Sequence, residues 1–254
     1  MTMQFEPVSI AAIAAALFLG GIIKGATGAG TPVIAVPVIA AFLDVRVAVV
    51  IMVIPNLMTN VLQQWQYRDH HLPDRFALKF AVAGGFGALV GTTMLASLPT
   101  EILTIALAAA IFGYIGLRLA RPSFKLEFQS AARLVAPMGI GGGILQGMAG
   151  ISAPVAVSFL NAMRLERPVF IATISTFFIS MSLVQIVSQS VFGLTSLPLF
   201  GVSVAAMLPL VFSMPLGSWI ARHLSAQAFD RVLLLLLAVL GLRLLYGGLA
   251  EFLS

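Results

Sequence analysis

The chain contains no cysteine, three histidines and two tryptophans in 254 residues, and only 9% of its residues are charged. Each shortage excludes a chemistry. Without cysteine there is no disulfide, no thiolate metal ligand and no cysteine nucleophile. The nine acidic residues fall in loops or near the ends of apolar runs. Paired carboxylates, a metal cluster or a nucleophile beside a base at membrane depth are therefore lacking, which argues against an intramembrane enzyme. A soluble domain carries roughly 25% charged residues, far more than this chain has. The apolar runs do not alternate with period two, so a membrane β-barrel is excluded as well.

What is present is hydrophobicity. Sixty per cent of the residues are hydrophobic, and runs of about 20 apolar residues recur along the length. The expected class is an all-α polytopic membrane protein with the lipid bilayer as its first partner. The formal charge of +5 does not point to nucleic acid, because the cations lie in loops between apolar runs. Met1 to Pro7 lacks a basic start, and the run that follows has no convincing cleavage site. The first run is expected to be retained as a membrane helix.

One glycine-rich motif interrupts the first run: Gly20-Gly-Ile-Ile-Lys24-Gly-Ala-Thr27-Gly28-Ala-Gly30-Thr31-Pro32. Gly143-Ile-Leu-Gln146-Gly147-Met-Ala-Gly150-Ile-Ser152-Ala-Pro154 repeats it. Both read Gly-Ile-x-[Lys/Gln]-Gly-x-x-Gly-x-x-x-Pro. As one helix, Val8 to Phe42 would be roughly 52 Å long at about 1.5 Å per residue, against a hydrocarbon core of about 30 Å. Glycine weakens a helix and proline removes a donor. The motif therefore predicts two segments, Val8 to Lys24 and Pro32 to Phe42, joined by irregular backbone within the membrane.

Val47 to Leu62 follows, then a polar loop from Gln63 to Arg75, then spans at Phe76 to Leu98 and Thr100 to Leu119. The hydrophilic stretch Arg118 to Arg133 is the midpoint linker. Leu134 to Gln146 and Pro154 to Met163 flank the second break, ahead of Val169 to Phe192, Leu197 to Ala221 and Ala228 to Phe252. Gly-Leu-Arg closes both halves, at Gly116 to Arg118 and Gly241 to Arg243. The chain reads as a duplication, with repeats at 1–126 and 127–254 that together make one transmembrane domain. Each repeat has a broken glycine-rich helix pair plus three spanning helices, giving roughly eight to ten membrane segments.

The loop cations set the orientation. If each broken pair makes no net crossing, each half crosses an odd number of times and the repeats are inverted. Arg68, Arg75, Lys79, Arg118, Arg121, Lys125, Arg133, Arg164, Arg167, Arg222 and Arg231 then share one side, leaving Arg46 and Arg243 on the other. Counting each broken pair as one crossing nearly abolishes the bias. The inverted arrangement is expected, with both termini outside.

The two motifs, the duplication and the length together resemble the sulfite exporter TauE/SafE family, over essentially the whole chain. The resemblance implies a transporter of small sulfur-containing anions such as sulfite or organosulfonates, mostly outward, in a bacterial inner membrane. No cofactor or metal is implied, and a homodimer is left open.

The candidate substrate-binding residues are Lys24, Thr27, Gly28, Gly30, Thr31, Asn56, Asn60, Gln63, Gln146, Gly150, Ser152 and Gln185. Lys24 is either an anion ligand or a snorkelling lysine. The second copy carries Gln146 in its place, so only one copy supplies charge. Thr27, Gly28, Gly30, Thr31, Gly150 and Ser152 offer amides and hydroxyls that favour anions at the start of a half-helix. Gly21, Gly87, Gly91 and Gly143 read instead as close helix packing. Asn56, Thr59, Asn60 and Gln63, matched by Ser182, Gln185 and Gln189, form polar stripes that either line a path or bond between helices. His70 and His71 read as a solvated loop, with His223 near a helix end, and Trp65 and Tyr67 as an interfacial anchor. The site is expected where the two breaks approach each other near mid-membrane. A channel-like anion pore is the alternative to a carrier.

Overall fold

The computed structural model describes residues 6–120, 125–220 and 226–253. Arg121, Ser123, Arg222 and His223, the Arg231 side chain and the first five residues lie outside the described residues. Among the described residues the structure is helical throughout: α1 (Pro7–Thr27), α2 (Thr31–Phe42), α3 (Val45–Gln66), α4 (Phe76–Ser97), α5 (Thr100–Ala120), α6 (Phe128–Ala149), a π-helical turn (Ala153–Val157) running into α7 (Ser158–Ala162), α8 (Arg167–Val191), α9 (Leu197–Ile220) and α10 (Ala226–Leu253). Six of these, α1, α3, α4, α5, α8 and α9, are long and apolar enough to cross a membrane.

The expected spans recur with shifted ends, and two shifts matter. α1 continues three residues past Lys24, to Thr27; it runs 21 residues, about 31 Å, long enough to span alone. The break falls at its end. Gly28 closes α1 in the left-handed conformation (φ 85°), donating its N–H to the Lys24 carbonyl at 2.7 Å, and Gly30 follows at φ 109°. Both angles suit glycine and strain other residues. α2 then doubles back beside α1, its Thr31 hydroxyl donating to the Gly20 carbonyl at 3.0 Å. The second shift concerns Gln63, expected to open a loop. It lies inside α3 and is buried, because the polar stripe continues the helical face one turn further.

Glycines decide how the helices pack. A Cβ on Gly143 would stand 2.2 Å from the Gly84 carbonyl oxygen, and one on Gly87 2.2 Å from that of Ile140. α4 and α6 therefore touch backbone to backbone. α1 and α9 do the same: a Cβ on Gly25 would stand 2.0 Å from the Met214 oxygen, and one on Gly217 2.0 Å from that of Ile22. Small residues let membrane helices approach and gain dispersion contact. The pattern exchanges between halves, since the helix before each break packs on the fourth helix of the other half. Proline adds another tie. Pro55 cannot donate to the Ile51 carbonyl, and the Ser203 hydroxyl of α9 fills that acceptor at 2.7 Å.

α3 and α8 pair antiparallel at the centre. Asn56 Nδ2 donates to Ser182 Oγ at 3.2 Å, and Thr176 Oγ1 to Gln64 Oε1 at 3.0 Å. Two apolar clusters flank this seam. One gathers Phe76, Phe80, Phe159, Phe177 and Phe178, with Phe80 and Phe177 stacked at 4.1 Å, around the first break at Ala29. The other gathers Val49, Leu95, Ile151 and Leu199 around the second break.

Candidate functional site

The seam between α3 and α8 carries a ladder of buried polar side chains. The two hydrogen bonds fix its register, and stepping by sevens from Asn56 and Ser182 sets Gln63 level with Ser175 and Val49 level with Gln189. This stretch spans about 21 Å at about 1.5 Å per residue. Asn56, Asn60, Gln63, Ser175, Ser182, Gln185 and Gln189 are all buried.

Lys24 enters the seam from α1. Its side chain is 1% exposed, and it is the one charged side chain among the buried polar residues described. The ammonium donates to Asn60 Oδ1 at 2.9 Å and sits 5.6 Å from the centre of the Phe178 ring. Among the described residues no carboxylate pairs with it. Asn60 is held in turn by Asn56, its Nδ2 donating to Asn56 Oδ1 at 2.9 Å and to the Asn56 carbonyl at 2.7 Å. The chain Lys24–Asn60–Asn56–Ser182 thus links α1, α3 and α8. It orients one amide oxygen at the cation and leaves the other ammonium protons free of hydrogen-bonded partners. The cost of burying a lysine in the membrane, several kcal/mol, is only partly offset by one amide oxygen and one aromatic face.

The second break does not mirror this chemistry. Gly150 closes α6 at φ 71°, its N–H donating to the Gln146 carbonyl at 2.9 Å. Gln146 is buried beside the seam: one turn before it Gly142 lies against Ala156 and Phe177, and one turn after it Gly150 lies against Val36 and Val49. Here polar atoms are left open. Gln146 Oε1, Ser152 Oγ, both amide atoms of Gln185 and Gln189 Nε2 are buried without a hydrogen-bond partner, as are Gln63 Oε1 and Ser175 Oγ in the Lys24 half. Buried polar groups are nearly always paired, and each open one costs about 1–3 kcal/mol.

The two breaks themselves do not meet, contrary to the expectation. A Cβ on Gly28 would touch Ile171, near the start of α8, whereas one on Gly150 would touch Val49, near the start of α3. Antiparallel α3 and α8 put those starts at opposite ends, about 28 Å apart along the helices. The breaks bracket the seam; one turn before the first, Lys24 reaches into it, and one turn before the second, Gln146 is buried beside it. The cause is that α1 and α6 run 21 and 22 residues before their glycines, so those glycines fall at opposite ends of the α3/α8 pair.

Two hydroxyls are occupied by the first break. Thr27 is exposed, and its Oγ1 donates to the Ile23 and Ala29 carbonyls (2.9 and 2.5 Å). Thr31 gives its proton to Gly20. Both shape the turn, as Gly28 and Gly30 do. Gln63 Nε2 donates to the Lys24 carbonyl at 3.3 Å, tying α3 to the end of α1. The next carbonyls there are also served: Gly25 accepts from Arg167 Nη2 at 3.1 Å and Ser218 Oγ at 3.0 Å.

Sequence reading missed Ser175, Phe178 and Arg167. Ser175 extends the α8 stripe by two turns from Ser182, which the spacing could have shown. Phe178 lies on the same stripe but, being apolar, gave no signal. Arg167 counted only as a loop cation. His70 and His71 are exposed in the loop after α3, and Trp65 is exposed at its end.

These features define a polytopic helical membrane protein with a buried polar seam and, among the described residues, one buried lysine. The family model described as sulfite exporter TauE/SafE matches residues 13–244, and the chain belongs to that family. Comparison with curated proteins and with solved structures finds no match.

Proposed function

We propose that this protein is a secondary transporter that exports small sulfur-containing anions, such as sulfite or an organosulfonate, along the α3/α8 seam. The observation that carries the reading is Lys24: a buried ammonium held by a neutral amide oxygen and an aromatic face, with no carboxylate. An ammonium so placed has charge to offer an incoming anion. Low dielectric strengthens that attraction and offsets the anion's loss of hydration. Membership of the sulfite exporter family supports the substrate class.

The proposed setting is a bacterial inner membrane, with two inverted repeats and both termini outside. Two features support it. α3 and its counterpart α8 run antiparallel. At one end of the bundle Leu126 N–H bonds the Ala162 carbonyl and Phe76 meets Phe128, drawing together the cation-bearing loops around Arg68, Arg75, Lys125, Arg164 and Arg167. The opposite end holds Arg46, whose guanidinium caps α4 by donating to the carbonyls of Leu95 and Leu98 and to Thr100 Oγ1, and Arg243, which donates to the Ala41 carbonyl. Cations favour the cytoplasmic side.

One proteoliposome experiment tests both parts. Sulfite, thiosulfate, sulfoacetate, taurine and sulfate are offered in turn, with a cysteine placed at His71 or Thr195 in this cysteine-free chain. The expected result is saturable flux of sulfite or a sulfonate with counterflow. In cells an impermeant thiol reagent should label position 195 from outside and position 71 only after lysis. Absence of flux for every anion sinks the transport reading; non-saturable flux without counterflow makes it a pore. Labelling of both positions from one side overturns the orientation.

A further inference from the structure

We infer that Gln146, Gln185 and Gln189, with Ser152, form a second, uncharged stage on the anion path, one that favours a singly charged oxyanion still carrying a proton over a bare dianion. The inference rests on the transport reading above and concerns the half of the seam that Lys24 does not serve.

Its basis is the balance of open groups. Gln185 is 1% exposed and has neither amide atom partnered; Gln189, one turn on, is 1% exposed with Nε2 open. Gln146 Oε1 and Ser152 Oγ are open and come from the other side, on the segment that packs over Val49. Val49 is level with Gln189 in the α3/α8 register, so these groups share one level of the bundle, at and beside the seam. The stage therefore offers donors from Gln185 and Gln189, acceptors from Gln185 and Gln146, and a hydroxyl that does either. A fully deprotonated dianion only accepts. It satisfies the donors but forces its oxygens against two amide oxygens, leaving those acceptors buried and unpaired. A hydrogen-bearing monoanion such as hydrogensulfite satisfies both kinds of group. It also needs less charge compensation, which matters because this half holds no cation among the described buried residues. The two stages then differ in kind: Lys24 attracts charge, and the glutamines select the protonation state that can proceed without it.

Stability gives an independent handle. Four buried side chains with open polar atoms lower the stability of the resting protein, and an isosteric apolar replacement should restore some of it. The experiment compares wild type, Gln185→Met and Gln189→Met for sulfite and sulfate flux across a pH series in proteoliposomes. Sulfite binding and thermal stability are measured on the same preparations. Wild-type sulfite flux should rise as pH falls and the hydrogensulfite fraction grows, and sulfate should pass poorly. Gln185→Met should unfold at an equal or higher temperature and bind sulfite within about threefold of wild type, while its flux falls at least about tenfold. Gln189→Met should show the same pattern more weakly. Wild-type flux in a folded Gln185→Met protein overturns the inference, as does sulfite flux that rises with the dianion; either leaves the role of Lys24 standing. A wild-type protein that passes no anion removes the transport reading and this inference together.

Discussion

Replacing Lys24 by glutamine should cost at least about tenfold in anion affinity while the protein stays folded. The variant converts the charged half of the seam into a copy of the Gln146 half. It removes a charge-assisted hydrogen bond to the anion, an interaction of about 2–4 kcal/mol when one partner of a buried charge pair is truncated. Folding survives because no buried carboxylate is orphaned, although glutamine is one methylene shorter than the lysine that donates to Asn60 Oδ1 at 2.9 Å. Removing an unbalanced buried charge should leave the unfolding temperature unchanged or raised. Lys24→Arg keeps the charge but brings a larger, planar group against Phe178 and Asn60, so a partial loss is expected. Binding isotherms and liposome flux, with thermal unfolding as control, check these outcomes. Wild-type affinity in a stable Lys24→Gln protein would mean that the lysine is only structural.

Gly143→Ala should be among the most destabilising single substitutions in the chain. The added methyl would stand 2.2 Å from the Gly84 oxygen, 2.8 Å from the Ala88 nitrogen and 2.9 Å from the Gly87 Cα. All three are backbone atoms, so no rotamer change relieves the clash. α4 and α6 must separate along their whole glycine interface, a loss at the upper end of the about 1–3 kcal/mol typical of overpacking. Gly201→Ala is the matched control. It lies within α9 with nothing inside 4 Å of the added Cβ, and alanine's helix propensity should make it neutral or stabilising by up to about 1 kcal/mol. Thermal unfolding of the two variants in one detergent checks the contrast. Equal midpoints would show that the close approach of α4 and α6 does not limit stability.

These expectations rest on features of differing legibility in the sequence. The spans were legible because membrane helices are long apolar runs, and most ends moved by no more than four residues; α6 starts six residues early, at Phe128, inside the stretch read as the linker, because Phe128 to Arg133 is too polar to show as an apolar run. The packing role of Gly21, Gly87, Gly91 and Gly143 followed from four-residue spacing, and the backbone contacts at those positions agree with it. The placement of the breaks was not legible. Glycine and proline mark where a helix stops, but not how deep that point lies, and α1 uses its full length before Gly28 ends it. The meeting of Asn56 with Ser182 and of Lys24 with Asn60 was beyond reach too, since residues 36 and 126 positions apart carry no mutual pattern in one sequence. The stripes showed which faces were polar; only packing shows that they face each other. Nor could residue identity tell a paired glutamine from an open one. Gln63 and Gln185 are matched by the sequence pattern, yet one amide bonds the Lys24 carbonyl and the other bonds nothing.

The central claim is that an anion occupies the α3/α8 seam beside Lys24. Selenite has the charge and pyramidal shape of sulfite, and its selenium scatters anomalously. Crystals of the wild-type protein soaked in selenite, with data collected above the selenium edge, locate the anion directly. An anomalous peak is expected inside the seam, with a selenite oxygen about 3 Å from Lys24 Nζ, and no such peak in Lys24→Gln crystals. Selenium found only at exposed loop cations such as Arg68, with the seam empty at saturating selenite, would contradict it.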